Sequence, residues 1–153
     1  MANNLLKGKR GIIFGALDEN SIARKTALKV KEEGGSFTLT NAPIAMRLGK
    51  INELAKACDA ELIPADATSE EDLKNLFTRS IYILGGKLDF ILHSIGMSPN
   101  IRKGKEYGDM NYEWYQKTLD ISALSFHKVM QTAEKLDGMN EWGSIVALSY
   151  IAA

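Results

Sequence analysis

Five short stretches of this chain put chemistry-bearing residues directly after apolar runs: Gly15, Thr40-Asn41, Asp66-Ala67, His93-Ser94-Ile95-Gly96 and Ser149-Tyr150. Each preceding run is suited to a strand, and in an open parallel sheet ligands sit outside the carboxyl ends of the strands. The set describes a crevice lined by a flexible turn, an acid, a glycine-containing loop and a phenol, which fits a nucleotide better than a metal. No His/Cys/carboxylate cluster has ligand spacing, so no metal is expected.

The first of these stretches is the most informative. Ile12-Ile13-Phe14 reads as a strand buried on both faces, Gly15 supplies freedom at φ as the chain leaves the sheet, and Ser21 caps a helix carrying Ala23, Ala27 and Val30 on one side. A strand–turn–helix of this kind aims the helix N-terminus, with its unpaired N–H groups and positive dipole end, at the strand's carboxyl edge, where the pyrophosphate of a dinucleotide could bind. A full G-x-G-x-x-G is absent, so an ordinary βα connection is the alternative reading. Asp18 and Glu19 would repel a pyrophosphate and must point away if the anion reading holds.

The remaining candidates each carry two readings. Asp66 could accept a hydrogen bond from an adenine amine or could cap a helix starting near Thr68, and Ala67 could offer only a backbone contact. His93, directly after an apolar strand, reads as a hydrogen-bonded supporting residue rather than an acid or base. Gly96 either admits a flat ligand close to the backbone or serves a turn. Tyr150 could donate a proton or hydrogen bond to a developing oxyanion, or it could be a packed aromatic with its hydroxyl in water.

The elements that must position these residues alternate. Strands are expected at Ile12–Phe14, Ser36–Thr40, Glu61–Ala65, Leu88–Leu92 and Ser144–Leu148, and helices at about Ser21–Glu33, Arg47–Ala57, Thr68–Leu84 and Tyr112–Leu136. Thr68 and Ser69 followed by Glu71 and Asp72 make a capping-box pattern, Gly85-Gly86 ends that helix, and Asn100–Asn111 reads as an exposed loop. The Tyr112–Leu136 segment is apolar around much of its circumference and should be covered on more than one side. Five strands alternating with helices call for right-handed βαβ crossovers and a doubly wound α/β fold with a parallel sheet.

Bulk properties bound the class. With 153 residues, 45% of them apolar, the chain suits one domain. Its 19 basic and 19 acidic residues balance, so charge points to no nucleic-acid partner. Cys58 is the only cysteine, which excludes an internal disulfide and suits a reducing compartment, where it reads as buried filler. The absence of an apolar leader or spanning run makes a soluble cytoplasmic protein the expectation, with no membrane partner.

In order, Gly15-Ala16, Ser21-Ile22-Ala23, Asp66-Ala67, His93-Ser94-Ile95-Gly96, Asp120-Ile121-Ser122 and Leu148-Ser149-Tyr150 resemble the bacterial enoyl-acyl-carrier-protein reductases, a divergent branch of the short-chain dehydrogenase/reductases with a Rossmann-like fold. The resemblance covers nearly the whole chain. It implies that Gly15, Ser21 and Ile22 hold the pyrophosphate, Asp66 and Ala67 contact adenine, Ile95 lies along the cofactor, Met97 and Ser98 line the mouth of the substrate site, and Tyr150 is the first of two family tyrosines. It also implies hydride transfer from a reduced nicotinamide to the β-carbon of a trans-2-enoyl thioester on acyl carrier protein, and a homotetramer. The family's second tyrosine and its lysine lie on the segment after the fifth strand. The 153 residues are therefore expected to be an N-terminal NAD(P)-binding portion, poorly soluble or self-associating and without reductase activity alone. Thr40-Asn41-Ala42 lacks both the acid that reads a ribose 2′-hydroxyl and an arginine for a 2′-phosphate, which favours NADH, while Arg47 and Lys50 keep NADPH open. Another short-chain ketoreductase, or a nucleotide-binding module without catalysis, is the alternative.

Overall fold

The computed structural model describes residues 3–48 and 50–149. Four parallel strands, β1 (Arg10–Phe14), β2 (Ser36–Thr40), β3 (Leu88–His93) and β4 (Met139–Ala147), form one sheet in the order β2-β1-β3-β4. Ile12 stands opposite Thr38 on one side and Ile91 on the other, a register that puts the carboxyl ends of β1, β2 and β3 on one rim. The chain leaves β1 for β2 in one direction and later returns to β3 on the other side of β1. The rim between β1 and β3 is thus the topological switch point.

Both faces of β1, β2 and β3 are covered, as apolar runs without alternation require. Ile12, Phe14 and Ile91 pack beneath α3 (Glu70–Leu84) and α6 (Ser125–Lys135) with Leu73, Leu76, Phe77 and Val129. Ile13, Leu39 and Leu92 pack on the opposite face beneath α1 (Ile22–Glu32) and α2 (Lys50–Cys58) with Ala23, Ala27, Ile51 and Leu54. Cys58 is buried in this second layer. Full burial of each large aliphatic side chain contributes about 1.5–3 kcal/mol, so β1 anchors both layers.

Several expectations are corrected. The strand expected at Glu61–Ala65 is not a strand of the sheet but a single parallel bridge, Leu39 to Leu62. The N–H groups of Ile63 and Ala65 still donate to the carbonyls of Leu39 and Asn41, while Pro64 lacks an N–H on the outward side, so the segment forms a frayed edge outside β2. The capping box before α3 is not reciprocal: Ser69 Oγ accepts from the Asp72 N–H, but the Asp72 carboxylate turns to the Asp66 N–H, 2.8 Å away. The helix expected at Arg47–Ala57 is a 3-10 stretch, Pro43–Leu48, followed by α2.

The loop expected at Asn100–Asn111 carries a short helix, α4 (Pro99–Arg102), and a 3-10 turn, Tyr107–Asp109. Asn100, only 6% exposed, clamps its ends by donating to the Asn111 carbonyl and accepting from the Asn111 N–H. The long helix expected at Tyr112–Leu136 is divided into α5 (Tyr112–Leu119), a π-turn (Asp120–Leu124) and α6. Tyr112, Leu119 and Leu124 are exposed on it, and β4 lies at the sheet edge with Val146 and Leu148 exposed. No helix among the described residues is long and apolar enough to cross a membrane.

Candidate functional site

The first turn is built from backbone constraints. Gly15 follows β1 at φ +85°, and a Cβ placed there would lie 1.9 Å from the Ser94 carbonyl oxygen. Only glycine lets the β1 turn lie against the loop after β3. The Gly15 N–H donates to the Thr40 carbonyl, and Asn41 Nδ2 donates to the Ala16 carbonyl at 3.0 Å. On one side the rim continues through the Ala65 N–H to the Asn41 carbonyl, and on the other through the Leu148 N–H to the His93 carbonyl. Backbone bonds therefore stitch the turns after Ala65, β2, β1, β3 and β4 into one continuous edge.

Ser21 stands at the N-cap of α1, as its sequence position predicts. Its Oγ accepts from the Leu17 N–H at 3.3 Å and the Arg24 N–H at 3.2 Å, so both lone pairs are engaged and its own O–H remains a donor. The N–H groups of Ile22 and Ala23 precede the first intrahelical bonds of α1 and face out from its end. Hydroxyl, free amides and helix dipole thus converge where an anion is favoured. The two nearby carboxylates are otherwise engaged: Asp18 accepts from the Asn20 N–H, and Glu19, exposed, pairs with Lys50 at 3.6 Å.

Asp66 is not the helix cap that its structural reading expected. The N-cap of α3 is Ser69, while Asp66 Oδ1 accepts from both the N–H and the hydroxyl of Thr68 in a tight turn, with its side chain exposed at the rim. Ala67 beside it is buried, which leaves backbone as its available contact. Ile95 is partly buried against the α3/α6 layer, and a Cβ at Gly96 would meet nothing within 4 Å, so this loop faces open space. Met97 and Ser98 lie further out. Ser98 caps α4, its Oγ 3.5 Å from the Ile101 N–H, and the Met97 backbone is held by Ser122. Tyr150 lies outside the described residues.

His93 is a supporting residue, as expected. It is 1% exposed, its ring lies between Phe14 and Phe126, and Nε2 is 2.8 Å from Ser125 Oγ. Because the Ser125 hydroxyl donates to the Ile121 carbonyl at 2.7 Å, the network assigns the imidazole proton to Nε2. Burial pushes the His93 pKa below its ordinary 6.5, so the ring is neutral and tied to the α6 side.

The sequence reading assigned no role to Ser122, Ser125 or Lys128. Ser122 Oγ accepts from the Met97 N–H at 3.0 Å, and Lys128 Nζ bridges Asp120 Oδ1 at 2.9 Å and the Thr68 carbonyl at 3.0 Å. The available signal was polar residues at 120, 122, 125, 127 and 128 interleaved with Ile121, Leu124 and Phe126, a spacing no single α-helical face accommodates.

A dinucleotide fits the groups present. The Gly15 position admits no side chain, the α1 N-terminus offers donors, and Thr40 Oγ1 is buried at the rim end of β2 without a hydrogen-bond partner among the described residues. Fold and rim together define a Rossmann-like, doubly wound α/β domain. A model of the family described as Enoyl-(Acyl carrier protein) reductase matches residues 15–153. Enoyl-acyl-carrier-protein reductase (NADH) 1 of Rhizobium meliloti is 31% identical over 153 residues, covering 99% of this chain and 55% of that protein. The NADH-named FabI of Aquifex aeolicus is 34% identical, covering 97% and 54%. Among solved structures, FabI from Alistipes finegoldii superposes with a TM-score of 0.95 at 59% identity, covering 99% of this chain and 56% of that one. Its NADH complex also superposes with a TM-score of 0.95, covering 97% and 53%. The chain belongs to the enoyl-(acyl carrier protein) reductase family. It spans about half the length of the curated relatives it matches.

Proposed function

We propose that this chain is the NADH-binding, N-terminal portion of a reductase acting on trans-2-enoyl thioesters of acyl carrier protein in fatty-acid elongation. The observation that carries the reading is Ser21: with two backbone N–H groups donating into its Oγ, its hydroxyl proton is left for an acceptor at the α1 N-terminus. A reduced nicotinamide dinucleotide, when bound, supplies the hydride that reduces the double bond.

The chain's own residues bind and orient. Gly15, Ser21 and Ile22 hold the pyrophosphate, Asp66 and the Ala67 backbone meet adenine, and Ile95 packs along the cofactor. Met97 and Ser98 border the acyl chain, and the Tyr150 phenol holds a proton toward the thioester oxygen. NADH is favoured because Asn41, directly after β2, spends its amide on Ala16 and Ala42, Lys50 faces Glu19, and the relatives described above are named for NADH; Arg47, exposed, remains as a cation near that edge of the rim. The cytoplasmic location and the homotetramer belong to the same reading. Light scattering measures the latter.

Titrating NADH into a chimera that joins these residues to the unmatched portion of the Alistipes finegoldii FabI, and following cofactor fluorescence, tests the binding: saturation is expected, and a flat titration of the folded chimera ends the proposal. The same chimera tests the activity. It is expected to reduce crotonyl thioester, and Tyr150→Phe to slow it; turnover of a ketoacyl thioester instead would replace the enoyl reading.

A further inference from the structure

The π-turn Asp120–Leu124 interrupts what would be one helix between α5 and α6, and such interruptions are frequent at functional sites. Around it, three polar side chains grip the rim. Ser125 holds His93, the last residue of β3. Asp120 holds Lys128, which reaches the carbonyl of Thr68 in the Asp66 turn. Ser122 closes on a single residue of the loop beyond β3: its Oγ accepts from the Met97 N–H at 3.0 Å and lies 3.3 Å from the Met97 carbonyl, to which its hydroxyl donates.

The loop from His93 to Met97 is consequently fixed at both ends by side chains from one short segment. Ile95 is strung between those anchors. Its backbone neighbour Gly96 meets nothing, and Ser94 contributes the carbonyl against which Gly15 is packed. A shift of Met97 therefore moves Ile95 relative to the Gly15 turn; beyond Met97 the chain is held again at Ser98, which caps α4 and lies 3.4 Å from the Thr118 hydroxyl.

We propose that Ser122 is a positioning residue for the cofactor: by closing both backbone groups of Met97 it sets where Ile95 lies, and the π-turn is the device that brings its hydroxyl there. The proposal rests on the cofactor-binding reading above. Uniform helix from Tyr112 onward would rotate residues after the turn by about one residue's angle, roughly 100°, taking Ser122 and Ser125 out of simultaneous register with the loop.

The test uses the chain joined to the unmatched portion of the Alistipes finegoldii FabI, which supplies the half of the family's length that these residues do not span, and the variants Ser122→Ala and Ser122→Thr made in it. In the unliganded chimera, hydrogen exchange at the Met97 amide should quicken about tenfold in Ser122→Ala, because that N–H loses its acceptor, while the thermal midpoint moves little. The Kd for NADH should rise about tenfold, and Ser122→Thr, which keeps the hydroxyl, should restore both readings. Faster exchange with an NADH Kd changed by less than about twofold overturns the positioning role alone. Unchanged exchange at Met97 overturns the contact on which it stands. If the parent chimera itself fails to bind NADH, the cofactor reading has failed and this inference falls with it, an outcome distinct from the other two.

Discussion

The turn after β1 and the loop after β3 lie against each other on the same rim, yet they are held by different means. The β1 turn is fixed within a few residues of itself and its neighbour strand: a glycine at positive φ, an N-cap serine whose Oγ takes two nearby amides, the Gly15 N–H on the Thr40 carbonyl, and the Asn41 side-chain amide on the Ala16 carbonyl. The β3 loop is fixed by side chains from a distant segment, with His93 on Ser125, 32 residues on, and Met97 on Ser122, 25 residues on. A phosphate site gains from the first arrangement because amides and dipoles are already in place. A loop that must meet a flat ring and a substrate gains from the second, because one anchor can change without disturbing the sheet.

The largest break in that comparison is at their contact. Gly15→Val puts a β-branched residue at φ +85°, costing about 1–2 kcal/mol in backbone strain, and drives Cβ into the Ser94 carbonyl, so the rim must separate. NADH affinity should fall by about a hundredfold or more and the thermal midpoint should drop clearly. Fluorescence titration beside thermal denaturation measures both, and near-parental binding would show that the two turns need not touch.

The side-chain-held loop should next reveal itself through its buried histidine. Ser125→Ala leaves the His93 N–H without an acceptor in a site 1% exposed, at a cost of about 1–3 kcal/mol. His93 also makes stability depend on pH. Its pKa in the folded chain lies below the ordinary 6.5, so between those two values the unfolded chain binds a proton that the folded chain does not, and stability falls as pH drops through that window. Denaturant midpoints should decline below about pH 6.5 and flatten in His93→Gln. A decline of equal slope in that variant would assign the effect to other groups.

The locally held turn allows a sharper separation of stability from binding. Ser21→Asp replaces one good N-cap with another and should leave stability within about 0.5 kcal/mol, whereas Ser21→Ala should cost about 1 kcal/mol. The new carboxylate occupies the proposed pyrophosphate position, so NADH binding should be lost in Ser21→Asp despite its intact fold. Binding retained there would mean that the anion sits elsewhere.

This contrast also explains how much of the molecule was legible in the sequence. Buried strands, helix caps at Ser21 and Ser69, and the glycine that ends α3 are local signals, readable because a few neighbouring residues determine them. That the strand ends share one rim of a parallel sheet followed from the alternation of strands and helices; the order β2-β1-β3-β4 along it is seen only in the fold. The π-turn did not, because Leu119, Ile121, Leu124 and Phe126 continue an apolar pattern that an unbroken helix also satisfies, and the hydroxyls that demand the extra residue find their partners only across the fold. The frayed segment at Glu61–Ala65 was misjudged for a related reason: β propensity is visible locally, but whether a second neighbour pairs with it is not.

The junction between the two regions is the Asp66 turn, joined to β2 by backbone through Ala65 and to the π-turn through Lys128 on Thr68. Asp66→Asn should produce the smallest change in stability, within about 0.5 kcal/mol, because an amide oxygen can still accept from the Thr68 N–H and hydroxyl. Its effect on the cofactor depends on which reading of Asp66 governs. If the second carboxylate oxygen accepts from an adenine amine, the substitution turns an acceptor into a donor facing a donor, and the NADH Kd should rise several-fold, about 1 kcal/mol. If Asp66 only shapes the turn, affinity stays level with stability. Calorimetric titration of Asp66→Asn with NADH, and with a nicotinamide mononucleotide that lacks adenine, resolves the two: an adenine contact requires that the loss appear with the dinucleotide and vanish with the mononucleotide.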